Sequence, residues 1–187
     1  NTSDDYQQTF YVAETALLEG EKYLLNQFLG PYDTKTGKRD TSKRALPANK
    51  TTVFNGSMTK KNYTTSWSLY YDTSSYCYNS FKDVDRANFK VVASESWNFG
   101  LFLFDSILSD PDIDSDEVKK LYPYYYEFFL TRIGAAPFRG YGTSIKKGAT
   151  DAGSDGMAYR VYGCGIKSGR FNNRILVSLE SVVVLPK

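Results

Sequence analysis

The run FYVAETALLEGEKYLLNQFLGP, residues 10–31, constrains this chain more than any other stretch. On a helical projection Tyr6, Phe10, Ala13, Leu17, Leu24 and Phe28 fall on one side. Leu18, Leu25 and Leu29 widen that face, while Gln8, Thr15, Glu19, Lys22 and Asn26 lie opposite. The pattern predicts an amphipathic helix of about five turns or more, lying on something apolar. Its end is well marked: Gly30 can take the left-handed conformation past a helix C-terminus, and Pro31 cannot continue the helix. Its start carries no comparable signal, and with only NTSDDYQQT before it the helix reads as the continuation of a longer one. Gly20 costs about 1 kcal/mol in a helix interior, which predicts close approach of a strand or loop there. Glu14 and Glu21 stand one heptad apart inside or beside the apolar face. They either flank the stripe with their carboxylates in water or contact a neighbouring subunit.

A chain of 187 residues is long enough for one domain, 1–187, with a real core. A net charge of +2 demands neither nucleic acid nor an anionic membrane as partner. The sequence has no histidine, which removes Ser-His-Asp and Cys-His catalysis and the commonest zinc sites. An enzyme working with paired carboxylates is the chemistry left, and the acidic residues are accounted for by caps and loops, so no catalytic or cofactor-binding residue is assigned. Tyrosine contributes 16 residues, which suits twisted sheet or a contact surface. Cys77 and Cys164 lie far apart and outside any C-x-x-C arrangement. They read as one disulfide in an oxidising compartment, two separate buried thiols being the alternative. No signal peptide or transmembrane run is present, and the sequons at Asn49, Asn55 and Asn62 carry little weight in a chain so rich in Asn, Ser and Thr.

After the helix (1–30), residues 31–122 form a variable helix and loop region. The basic cluster Lys35, Lys38, Arg39, Lys43 and Arg44 is interrupted by Asp33 and Asp40 and reads as a solvated loop. WSLYY (67–71) and FKVVA (89–93) are short strand candidates, and ESWNFGLFLFDSIL fits either helix or buried strand. In DPDIDSDEVKKLYP the residues Asp110, Asp112 and Asp114 suggest a calcium loop. The loop lacks the glycine at its sixth position, and Leu121 stands where a bidentate Glu is needed. A short helix capped by Asp114, with Glu117 completing a capping box and Pro123 stopping it, explains the same residues. The last part, 123–187, is strand-rich: 124–134, 158–167 and 174–185, with a long surface loop at 135–157. The short link KSGRFNN predicts an antiparallel hairpin of the last two. A long helix first and antiparallel strands last gives an α+β class with the helix laid across the sheet. Within it, the cysteine pair would pin the central loop to the middle C-terminal strand.

Several segments resemble the periplasmic part of type IV minor pilins of the PilX/PilK type. AETALLEGE (13–21) is similar to that family's A-E-A-A-L-x-x-G/A-E helix motif, and PYYYEFF from Pro123 looks like its proline-entered strand P-x-Y-I-I-E. YRVYGCGIKSG and ILVSLESVVVL look like its paired closing strands. The resemblance implies a pilin-like fold whose hydrophobic N-terminal half-helix is absent from these residues. It further implies processing by a prepilin peptidase with N-terminal methylation, an inner-membrane anchor with a periplasmic domain in a Gram-negative cell, and then incorporation into an extracellular pilus. The implied partners are the major pilin and other minor pilins, met through Glu14 and Glu21. The implied role is priming or capping pilus assembly. The alternatives are a minor pseudopilin of type II secretion, or a tip adhesin or DNA- or glycan-binding module whose Tyr-rich loops and basic 35–44 cluster meet a host surface, glycan or DNA.

Overall fold

A computed structural model of the protein describes residues 2–63, 75–107, 115–138, 155–169 and 174–187. The chain opens with α1 (Thr2–Leu29), then a two-residue ribbon, β1 (Tyr32–Asp33) against β2 (Lys38–Arg39), then the edge strand β3 (Thr59–Lys61). α2 (Tyr76–Ser80), β4 (Ala93–Asn98), α3 (Phe99–Ile107) and α4 (Ser115–Lys119) follow. The long strands β5 (Tyr124–Pro137), β6 (Asp155–Lys167) and β7 (Ile175–Pro186) close the chain. The class is α+β, with the N-terminal helix packed on one five-stranded sheet in the order β3-β4-β5-β6-β7.

The expectation of a purely antiparallel sheet confined to the last third is corrected. β3 pairs with β4 in parallel, and both come from the middle region. Parallel pairing needs a long connection, and the chain between Lys61 and Ala93 supplies it. The strand expected at 89–93 lies at Ala93–Asn98 instead. Residues 89–92 are held by single bonds, Phe54 and Lys50 donating to the carbonyls of Phe89 and Val91, and Val92 donating to Leu130. The ambiguous run that follows is both things in succession. Asn98 ends β4, and its Oδ1 accepts from the Leu101 amide at the start of α3. β5 continues to Pro137 and β6 begins at Asp155, so the strands consume both ends of the loop expected at 135–157. β6 and β7 form the expected hairpin, in register from Gly156↔Pro186 to Lys167↔Ile175. The strand candidate at 67–71 and the calcium candidates Asp110, Asp112 and Asp114 lie outside the described residues, as does the cap at Asp114. α4 carries Asp116 and Glu117 in its first turn, each paired with a lysine three residues on.

α1 ends as expected, with Gly30 at φ +95°. Arg39 donates to the Gly30 carbonyl and to Asn26, and Arg44 donates to the Phe28 carbonyl. Part of the basic cluster therefore satisfies the carbonyls that a helix end leaves open.

The face of α1 that meets the sheet keeps Ala13 and Leu24 of the projected stripe and leaves out Tyr6 and Phe10. Thr9, Val12, Ala13, Ala16, Gly20 and Leu24 are buried, whereas Tyr6, Phe10 and Leu18 are exposed. The cause lies on β6. A Cβ at Gly165 would overlap the Thr9 carbonyl oxygen and lie 2.6 Å from the Ala13 nitrogen, and one at Gly163 would lie 2.9 Å from the Leu17 nitrogen. Gly20 in turn sits over Val161, as its place in the helix predicted. Small residues meet glycines, the backbones approach closely, and the bulky side chains of α1 turn away. Leu17, Tyr23, Leu25 and Phe28 line the margins of the contact.

β5 and β6 are covered on both sides. On the α1 side Tyr126, Phe128, Leu130, Tyr159 and Val161 form one core with Val12 and Leu24. On the other side Tyr125, Phe129, Tyr162 and Ile166 pack with Phe54 and Tyr78. Cys77 on α2 is bonded to Cys164 on β6, Cα atoms 5.8 Å apart, so the pairing expected from the sequence is present and pins the middle region to that strand.

Candidate assembly surface

The exposed side of α1 and the free margin of the sheet beside it form the candidate site. Polar clasps hold the helix, strand and α2 that carry it. Lys167 on β6 pairs with Asp5 at 2.7 Å, and the Tyr124 hydroxyl donates to the other Asp5 oxygen at 3.4 Å. At mid-helix Ser181 of β7 donates to Glu21 at 3.0 Å. On the far face Ser178 donates to Ser80 of α2 at 2.6 Å. The Lys167 hydrogen bond holds the Asp5 carboxyl below the usual carboxylate range. Burial, together with the Asp5 charge, pushes the Tyr124 phenol up to about 12. Burial also raises Tyr63 and Tyr126.

The two glutamates expected at an assembly interface are placed differently. Glu14 is exposed on the outer side of α1. Glu21 is half-buried and turned onto β7, where it serves the helix-to-sheet contact. Around Glu14 the helix shows large apolar side chains to solvent: Tyr6 at 54%, Phe10 at 41%, Tyr11 at 50% and Leu18 at 57% exposure. At 100° per residue Phe10, Glu14 and Glu21 lie on the β7 side of the helix and Tyr11 and Leu18 on top. The exposed stripe therefore borders the sheet margin.

That margin is β7, which among the described residues pairs only with β6. Its 12 residues, ILVSLESVVVLP, carry one charge, Glu180, and its register with β6 has no bulge. The opposite margin is unlike it: β3 is three exposed residues, Thr-Lys-Lys. Short charged edges resist strand addition and long apolar ones invite it. Arg160, Glu180 and Val182 are exposed at this margin, on the face away from α1. Sequence reasoning passed over them, although the lone Glu180 in an apolar run was a visible signal. It also passed over Glu127, a buried carboxylate on β5 opposite Ser96, whose charge is felt by the Tyr63 phenol.

Among the described residues no three His, Cys, Asp or Glu side chains gather as a metal site, and no helix is long and apolar enough to cross a membrane. What the described residues present on this side is apolar rings, one carboxylate and a strand margin. Comparison of the chain with family models, with curated proteins and with solved structures gave no match.

Proposed function

We propose that this chain is the globular domain of a minor pilin and acts by incorporation into a type IV pilus, priming or capping its assembly. The observation that carries the reading is the orientation of α1. The helix spends its small residues on the sheet and leaves Tyr6, Phe10, Tyr11 and Leu18 around Glu14 in water. Exposed apolar patches of this kind mark surfaces that another protein covers. The sequence resemblance at the helix and the closing strands points the same way. In this reading the partners are the major pilin and other minor pilins, an N-terminal extension of the helix holds the subunit in the inner membrane, and the protein carries out no chemistry.

Deleting the gene is expected to reduce surface pili while the major pilin remains folded in the membrane. Glu14→Lys is expected to weaken capture of partner pilins without lowering the thermal midpoint of the isolated chain. A deletion strain with normal pilus numbers that has lost only adhesion or DNA uptake would show that the protein is a tip-borne binding module. Binding that falls steeply with salt would then identify DNA, and salt-insensitive binding a glycan.

A further inference from the structure

The geometry points to the outer edge of β7, which no described strand covers, as a self-pairing interface: two copies of this chain join antiparallel, β7 to β7, about a twofold axis at Ser181. The proposal does not depend on the pilus reading. A twofold axis between antiparallel strands stands perpendicular to the sheet, so it keeps both copies of α1 on one face. Residues of like face must then pair, and the axis must fall on a residue. Glu180 on the axis would set two carboxylates against each other. Ser181 on the axis gives Leu179 opposite Val183 and Val177 opposite Leu185, each twice, on the α1 face. Cross-strand apolar pairs of this kind are the stabilising unit of a sheet.

Charge on the other face selects the same register. Arg160 lies across from Val182, and Tyr162 across from Glu180. With Ser181 on the axis, Val182 faces Glu180 of the second copy. Arg160 and that Glu180 are then two strand spacings apart, about 10 Å between Cα atoms, with only a low valine between. The two long side chains span this distance and meet, once on each side of the axis. Arg160 and Glu180 are exposed. Inside one chain they are diagonal neighbours on one face, Arg160 hydrogen-bonding the Tyr162 phenol that lies across from Glu180. Among the described residues no ion pair within 4.0 Å joins them, so each keeps a charge for the second copy. The two α1 helices, seated over β6, stand about 14 Å apart. That exceeds the 8–10 Å of packed helices, which leaves room for Phe10 and Glu21 from each copy. The two Glu21 carboxylates are the like-charge pair brought near the axis, and each is held by its own Ser181.

The test is a charge-swap mixture of the oxidised 187-residue chain, read by sedimentation velocity. In Arg160→Glu every dimer sets the introduced carboxylate against Glu180 of the other copy. In Glu180→Arg every dimer sets the introduced guanidinium against Arg160 of the other copy. Each variant alone is expected to self-associate at least about tenfold more weakly than the parent. Their equimolar mixture brings opposite charges together again on both sides of the axis. It is expected to associate within about threefold of the parent, the Glu21 contribution being unchanged throughout. Restoration also proves that both variants are folded. A parent that stays monomeric up to about 1 mM, variants that associate as the parent does, or a mixture no tighter than its components would each overturn the proposal.

Discussion

Replacing Gly165 by alanine tests the contact on which the fold and the surface both depend. The added Cβ would overlap the Thr9 carbonyl oxygen and lie 2.6 Å from the Ala13 nitrogen and 3.2 Å from its Cα. All of these atoms are helix backbone, so no side chain can rotate out of the way. The helix has to lift by about 1 Å, and a gap of that size forfeits a quarter to a half of the dispersion energy across the contact. Ala13, Ala16 and Val12, fully buried in that seam, lose packing together. Overpacking costs about 1–3 kcal/mol, and contact with backbone on both sides places Gly165→Ala near the upper end. Gly163→Ala meets its neighbours at 2.9–3.2 Å and is expected to cost about half as much. The measurement is the denaturant midpoint at constant m-value with the disulfide intact, supported by a fall in thermal midpoint of roughly 6–12 °C for Gly165→Ala. If Gly165→Ala unfolds within about 0.5 kcal/mol of the parent, α1 is not seated on β6 backbone to backbone, and the explanation for its exposed apolar side fails with it.

Two further outcomes are expected. Removing the Cys77–Cys164 bond, whose ends are 87 residues apart, should lower stability by roughly 2–5 kcal/mol, measured as a shift in denaturant midpoint for the Cys77→Ser, Cys164→Ser double variant. The Asp5, Lys167 and Tyr124 clasp should give two limbs to the pH dependence of the α1 N-terminus, followed by amide exchange. Asp5 is depressed when folded, so its contribution of about 0.2–1 kcal/mol is present above its unfolded value and is lost as pH falls through the folded one. Tyr124 is raised to about 12, so its contribution is present below its ordinary value of about 10 and is lost as pH rises from there to the folded value. In Asp5→Asn the acid limb should vanish; its survival unchanged would remove Asp5 as the cause.

The features legible in the sequence were those set by near neighbours. Gly30 and Pro31 ended the helix because the last turn has carbonyls to satisfy within a few residues, and a short link joined β6 to β7 as a hairpin for the same local reason. The cysteine pair was legible because the sequence holds no other cysteine for either to bond. The burial of α1 was legible only in part, at Ala13 and Leu24. Hydropathy ranks Phe10 above Thr9, and nothing near residue 10 records that two glycines on β6 would admit Thr9 and Ala13 and so turn Phe10 out. The parallel placement of β3 and the place of β7 at the margin of the described strands were hidden for a related reason: whether a strand is an edge depends on which strands arrive beside it. Local chemistry decided where the elements start, stop and turn. Which of the helix's faces was left exposed was decided by backbone approach between segments more than 140 residues apart.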